Sequence, residues 1–439
     1  MNSRKISINK VCKLNRETIR SNNQPEYINY LDTGNITRNK IDEIKKLING
    51  IDKYPSRAQR KVKKNTIIYS TVRPEQEHFG IIETPIDNLI VSTGFTTLDI
   101  IDDTIDAKYF YYSLTNKSIT DYLNVIATNN VTSYPSLNPS DIGDLILKIP
   151  SSKTEQQKIA KVLSDLDNKI ELNNKINAEL EAMAKTLYDY WFVQFDFPDA
   201  IGKPYKTSGG KMVWNEALKR EIPEGWEVEK VSKSSNIVDC LHSKKSEYNF
   251  VDDETYLLQL ENIKDDGLID LSKKYHVSKE DYKNWTTRIE VKDNDIIITN
   301  AGRVAATAQI PSNIIAGIGR NITAIRPVSI SPTFLYVAFQ CSEMKRQIAL
   351  NTDTGTFFKS LNVKGIKELL IARPSKNTEE KFESIVFPMR RKREQNQIEN
   401  QELASLRDWL LPMLMNGQVT VGAVEEQLGM VAESGEKYE

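Results

Sequence analysis

The sequence predicts an α+β chain. Two similar mixed α/β domains are separated by two long helices, which form an antiparallel coiled coil in a pseudo-two-fold repeat. Three observations predict this. The 439-residue chain repeats itself once along its length. Each copy ends in a heptad-patterned helix. A stretch dense in proline and glycine joins the copies.

The repeat is legible residue by residue. Val62–Ile68 (V-K-K-N-T-I-I) returns as Val291–Ile297 (V-K-D-N-D-I-I), an offset of 229. Asn35-Ile36 returns as Asn262-Ile263 at 227. Ser136-Leu137-Asn138 returns as Ser360-Leu361-Asn362, and Pro150 as Pro374, at 224. Asn177–Leu180 corresponds to Asn400–Leu403 at 223. Small loop insertions and deletions produce such a drift. The layout in order is a mixed domain over 1–150, a helix over 151–195, a linker over 196–227, a second mixed domain over 228–374, a second helix over 375–417 and a tail over 418–439. Thr66–Tyr69, Leu145–Ile149, Ile296–Thr299 and Leu369–Ala372 are short, mostly apolar runs bounded by turn residues, and read as strands.

The first helix carries Ile159, Val162, Leu166, Lys169, Asn173, Ile176, Leu180, Met183, Leu187 and Tyr190 in alternating steps of 3 and 4. The second carries Phe382, Ile385, Met389, Lys392, Asn396, Glu399, Leu403, Leu406, Leu410 and Met413, every position at offset 223. Even the polar interruptions coincide, Lys169 with Lys392 and Asn173 with Asn396. A polar seam residue costs stability but fixes register and partner. Two copies of one seam in one chain pair most simply antiparallel, as a rod of roughly 60 Å for about 40 residues. Pro388 is expected to kink the second helix or delay its start.

The linker contains Pro198, Gly202, Pro204, Gly209, Gly210, Pro223 and Gly225. Ahead of it, Tyr188, Tyr190, Trp191, Phe192, Phe195 and Phe197 crowd into a few turns. They read either as core or as a surface that anchors a partner, since aromatics anchor interfaces. Tyr188, Trp191, Phe192 and, on the second helix, Trp409 are the candidate partner contacts.

Composition excludes several classes. The 59 basic and 60 acidic residues leave a net charge of −1, so the chain is no polyanion coat, although local basic patches still suit a DNA reader. Three cysteines and three histidines, widely spaced, offer no disulfide framework and no zinc knuckle. No apolar run approaches a membrane span of about 18 residues, and the polar N-terminus has no signal-peptide core, so a cytoplasmic location is expected. No Walker A motif and no amino-methyltransferase tetrapeptide occur, and Gly317-Ile318-Gly319 reads as a turn.

Three stretches carry a family resemblance. They are Ile149–Asp167, entering the first helix; Ser208–Asn215 continued by Glu221–Glu227, entering the second copy; and Glu402–Gly417, closing the second helix. In this order and spacing the chain resembles the specificity (S) subunit of type I restriction–modification enzymes, over essentially its whole length except a short tail. The resemblance implies that the mixed domains are target recognition domains and that the helices space them. It implies a bipartite, asymmetric double-stranded DNA site, one half per domain. Two modification (methyltransferase) subunits would dock and carry S-adenosylmethionine, restriction subunits would join, and this chain would itself catalyse nothing, bind no cofactor and meet no membrane. The competing reading is a coiled-coil adaptor that recruits protein partners without reading DNA.

The DNA-contact candidates are polar loops between strand-like runs. In the first domain they are Ser70, Thr71 and Arg73, and Asn129, Asn130, Ser133, Tyr134 and Ser136. In the second they are Asn300, Arg303, Arg320 and Asn321, and Thr354, Thr356, Phe358, Lys359 and Ser360. The arginines suit either bidentate contact with guanine or a grip on phosphate. The basic run Arg390–Arg393 reads as a solvated helix face or a contact to the DNA backbone.

Overall fold

The computed structural model describes residues 2–19, 25–129, 135–241, 255–354 and 359–424. The chain divides into two compact units, Met1–Ile170 with Glu402–Glu439, and Glu171–Gln401. Both are mixed α and β.

Unit 1 contains β1 (Ser3–Ser7), β2 (Cys12–Leu14), β3 (Tyr27–Leu31), β4 (Lys45–Ile48), β5 (Ala58–Lys61), β6 (Thr66–Ser70), β7 (Phe79–Ile82), β8 (Leu89–Ser92), β9 (Phe95–Ile100) and β10 (Ile146–Pro150). Its helices are α1 (Ala107–Leu114), α2 (Lys117–Asn129), α3 (Pro139–Gly143) and the start of α4 (Lys153–Tyr188). The sheets run β2-β9-β6-β7 and β4-β3-β8-β5, with β1 paired to β10.

Unit 2 contains β11 (Glu227–Lys230), β12 (Ser235–Asp239), β13 (Tyr256–Leu258), β14 (Tyr275–His276), β15 (Ile296–Thr299), β16 (Thr307–Gln309), β17 (Gly317–Ile318), β18 (Ile322–Pro327) and β19 (Leu370–Arg373). Its helices include α5 (Pro332–Gln340), α6 (Ser342–Leu350), α7 (Val363–Lys367) and most of α8 (Lys376–Asn416). Its sheets repeat the pattern: β12-β18-β15-β16, then β14-β13-β17, with β11 paired to β19. Even the parallel pair recurs, β8 with β3 and β17 with β13.

The repeated residues perform repeated tasks. Asn65 and Asn294 both take the left-handed conformation, φ 66° and 72°, which asparagine tolerates better than most residues. Each turns the chain into a buried central strand, β6 or β15. The side chain that follows accepts the amide of the turn in both copies, Lys63 N–H to Thr66 Oγ1 and Lys292 N–H to Asp295 Oδ2, each 3.0 Å. In the repeated Ser-Leu-Asn, Leu137 and Leu361 are buried, and Asn138 and Asn362 cap α3 and α7. Gln156 and Glu379, 223 apart, both accept the amide of a helix-capping residue, Asp106 and Ser331 respectively.

The buried faces of α4 and α8 correct the predicted seam. Ile159, Leu166 and Asn173 are buried, and Leu180 and Leu187 half-buried, as expected. The intervening positions move by one residue: Leu163 for Val162, Asn177 for Ile176, Ala184 for Met183, and Trp191 for Tyr190. Val162 is nonetheless buried, and Ile176 half-buried, while Met183 is 52% exposed. On α8 the same shift brings in Val386 for Ile385, Arg393 for Lys392 and Leu414 for Met413, while Met389, Leu403 and Leu406 are half-buried and Asn396 and Leu410 buried. Lys169 and Lys392 are exposed, so the shared polar layer is asparagine, not lysine. Steps of 3 and 4 fit two adjacent stripes of a helix equally well, so the period alone does not choose between them. The structure buries Leu163, Asn177, Ala184 and Trp191.

Pro388 does not delay α8, which begins ahead of it at Lys376 and runs unbroken to Asn416.

Within unit 2 the two helices run antiparallel. Asn173 Nδ2 donates to Asn400 Oδ1 at 3.0 Å, Asn396 Nδ2 to Asn177 Oδ1 at 2.9 Å, and Arg393 to Glu181 at 3.0 Å. Offset 223 converts the first asparagine pair into the second, so the duplicated sequence makes one hydrogen bond twice. In unit 1, Arg407 reaches Asp167 at 2.7 Å.

Candidate nucleic-acid interface

In unit 1 the strand β6 ends at Ser70, and the chain turns out through Thr71–Arg73. Thr71 N–H donates to Gly94 O at 2.8 Å, and Leu137 N–H to Thr71 O at 2.7 Å. Val72 and Ser136 form a bridge, and Arg73 N–H donates to Pro135 O at 3.0 Å. Two predicted segments, 66 residues apart at Ser70 and Ser136, thus meet on one edge of the sheet.

Unit 2 builds the same edge from the equivalent residues. Asn300 N–H donates to Asn321 O at 2.7 Å, and Leu361 N–H to Asn300 O at 2.8 Å. Ala301 and Ser360 form the bridge. The loops of Asn300–Arg303, Arg320–Asn321 and Lys359–Ser360 therefore converge.

The side chains divide between scaffolding and presentation. Ser70 is buried, and its hydroxyl donates to Val72 O at 2.9 Å, so it shapes the turn. Thr71 Oγ1 donates to Gly94 O at 2.9 Å and is likewise committed to the loop. Asn300 exchanges hydrogen bonds with Thr323 Oγ1 at 2.9 and 3.0 Å, which makes it a strut beneath the loops. These three corrections share a cause: short polar side chains next to a turn satisfy the turn's own backbone and neighbours. Arg73 adopts φ 49° and is half-buried. Arg303, Arg320, Lys359, Ser136 and Asn129 are exposed, and Asn321 and Ser360 half-buried. Arg303 pairs with Asp265 at 3.0 Å, and Asp265 is 93% exposed. Such a surface pair is worth about 0–1 kcal/mol, so a phosphate or a guanine edge competes with it readily. Asn130, Ser133, Tyr134, Thr356 and Phe358, and the side chain of Thr354, lie outside the described residues.

The aromatic partner candidates are mostly core. Tyr188, Trp191 and Phe192 are buried against Phe334 and Phe382, with Phe192 to Phe334 at 4.8 Å between ring centres. Their helix end is swallowed by the unit, so no partner reaches them; burial drives the Tyr188 hydroxyl well above its usual pKa. Trp409, 51% exposed, stays available. The basic run is split: Lys392 is exposed and Arg391 half-buried, but its two ends are no solvated face. Arg390 and Arg393 are buried, Arg390 bonding Glu394 at 2.6 Å, Asn294 at 2.6 Å and Ile310 O at 2.8 Å.

One feature of unit 1 has no local signal in the sequence. A cleft of about 320 Å³ is lined by Arg38, Glu77, Tyr112, Asp167, Arg407 and Asp408, among others. Burial opposes the charge on Arg407, but its bonds to Asp167 and Asp408 outweigh that and raise its pKa. Burial and then the Asp167 charge raise Tyr112, which donates to Asp167 at 2.6 Å. Five separate chain segments supply these groups, so only the fold unites them. Among the described residues, no group of three or more His, Cys, Asp or Glu is placed to hold a metal, and no helix is long and apolar enough to cross a membrane.

The family described as Type I restriction modification DNA specificity domain matches residues 2–182. The type I restriction enzyme HindI specificity subunit of Haemophilus influenzae is 26% identical over 89% of this chain and 94% of its own length. The MjaIX specificity subunit of Methanocaldococcus jannaschii is 26% identical over 82% of this chain and 78% of its own. A solved S subunit of a type I system from M. genitalium aligns at 18% identity over 94% of this chain and 96% of that one, with a TM-score of 0.49.

Proposed function

We propose, for a chain that belongs to the specificity subunits of type I restriction–modification systems, that each unit presents its loop edge to one half of a bipartite, asymmetric DNA site. The protein selects DNA and is not itself catalytic. The observation that carries this reading is the recurrence of one edge in both units. Distant segments are tied by equivalent hydrogen bonds, Leu137 to Thr71 and Leu361 to Asn300, with the half-buried Arg73 on the edge of unit 1 and the exposed Arg303, Arg320 and Lys359 on that of unit 2.

The chemistry follows from those cations. Arg303, Arg320 and Lys359 supply local positive charge on a chain of net charge −1. That attracts phosphate without coating the protein in charge. An arginine that reaches the major groove makes paired bonds to guanine O6 and N7, whereas one on phosphate only positions the protein. Asn300 and Ser70 keep the loops in shape. The paired helices α4 and α8 act as the spacer between half-sites. Two methyltransferase subunits, which carry S-adenosylmethionine, dock on this chain in the cytoplasm, and restriction subunits complete the assembly; Trp409 is one candidate contact.

Mapping of methyladenine in cells that co-express the chain and its modification subunits tests the reading. A bipartite motif is expected with the wild type. Arg303→Ala is expected to relax or abolish one half-site only; a lesion spread equally over both halves would contradict one edge per half-site.

A further inference from the structure

Unit 2 contains a small polar cavity between its recognition domain and α8. Gln309 on β16, Tyr336 on α5 and Arg393 on α8 are each more than nine-tenths buried. By distance and angle, Gln309 Nε2 and Oε1, Tyr336 Oη and Arg393 Nε have no hydrogen-bond partner among the described residues, although the Arg393 guanidinium lies close enough to the Tyr336 hydroxyl to oppose the rise that burial gives its pKa. All three side chains line one cavity of about 20 Å³, together with Arg390, Glu394 and Gln397. Gly267, at φ 75°, closes against the Tyr336 hydroxyl, where any Cβ would collide. One orphaned group, Arg393, and a lining neighbour, Gln397, are already tied into the same wall. Arg393 Nη2 donates to Glu181 and to Asp266 O, and Gln397 to Ile269 O.

A buried polar atom without a partner is costly, and native proteins rarely leave several together. We propose that this cavity is a site for a structural water that bridges Gln309, Tyr336 and Arg393. A cavity needs about 10–15 Å³ to hold a water, which makes two to four hydrogen bonds. The orphaned set contains two nitrogen donors, a carbonyl acceptor and a hydroxyl that does both. Water, which both donates and accepts, can bond either kind of group and bridge the three side chains. An anion would leave Gln309 Oε1 and the lining Glu394 facing negative charge, and a cation would face two guanidinium groups. The bound water joins β16 and α5 to α8, so the recognition domain meets its segment of long helix through a hydrated polar joint. This goes beyond DNA selection and stands whether or not that reading holds.

A high-resolution crystal structure of the full chain, grown in bromide, tests it. The expected result is one solvent peak within about 2.7–3.2 Å of at least two of the four atoms, without a bromide anomalous signal. An empty cavity, a bromide peak there, or a Gln309 side chain turned to bond Tyr336 or Arg393 directly would overturn the proposal. Tyr336→Phe gives an independent measure in solution. If water bonds the hydroxyl, the melting transition of unit 2 falls by about 2–4 °C. Equal or higher melting would mean the hydroxyl had no partner to lose, and would also overturn it.

Discussion

In unit 1 the long helices meet their domain mainly through aliphatic side chains, with Ile159, Leu163, Leu166, Leu410 and Leu414 in the same cluster as Tyr109 and Leu114 of α1. In unit 2 an aromatic cluster of Tyr188, Trp191, Phe192, Phe334 and Phe382 does part of that work. Buried charge adds to it. Arg390 and Arg393 of α8 take Glu394, Asp293 and Glu181 as ion partners. Yet the order of the four-stranded sheet that holds β6 or β15, the turn asparagines and the helix caps are shared by both units. Duplicated sequence thus holds on to devices that fix the backbone, while side chains that dock a helix on its domain diverge. Backbone devices depend on one or two local residues. Docking depends on whatever the facing surface supplies.

The largest expected effect tests the charged docking of unit 2. Arg390→Ala takes the buried partner from Glu394, which keeps only the half-buried Arg391, and strips the bonds to Asn294 and Ile310 O; it is expected to cost about 3 kcal/mol. Hydrogen exchange should show the loss in Glu171–Gln401 and leave protection in β6 and β9 of unit 1 intact. Equal loosening of both units would erase the distinction drawn between them. The asparagine layer comes next. Asn396→Leu leaves Asn177 Oδ1 without its donor and is expected to cost about 1–3 kcal/mol. Asn177→Leu with Asn396→Leu should recover most of that, because removing both partners is close to neutral. Failure of the double substitution to recover, in denaturant unfolding, would show that the layer is not a reciprocal pair.

These expectations were only partly legible in the sequence. The offset identities disclosed the duplication, the strands at Thr66 and Ile296, and both long helices, because local pattern determines all of them. The repeat matched Ser70–Arg73 to the loop after Thr299, and Ser136 to Ser360, but the meeting of the two segments within each copy comes from the fold alone. The seam was half legible. Ile159, Leu166 and Asn173 stand where the period puts them, but Met183 lost its place to Ala184. The Arg390–Arg393 run misled because its carboxylate partners Glu181 and Asp293 lie far away in sequence. The aromatic run left core and partner surface both open, since Phe334 and Phe382, which decide for core, come from other elements.

A smaller effect sharpens the comparison through pH. Gln156 and Glu379 occupy equivalent positions, but only Glu379 ionises. Burial raises its pKa, against the bonds from Ser331 N–H and Arg373 that favour the charged form. A raised carboxyl pKa means the unfolded chain ionises first. Its stability contribution is therefore full below the unfolded value of about 4.3 and declines as pH rises toward the folded value. Glu379→Gln should melt close to the wild type at pH 4 and gain on it steadily above that. A gap that closes with rising pH would reverse the sign and place the carboxylate in a setting that favours charge.

Exchange of residues 1–150 for the same segment of a related specificity subunit tests the central claim most directly, read by methyladenine mapping with the native modification subunits. Two units that each read their own half-site predict a hybrid motif, with one half replaced and the other half unchanged. A motif altered in both halves would contradict the account.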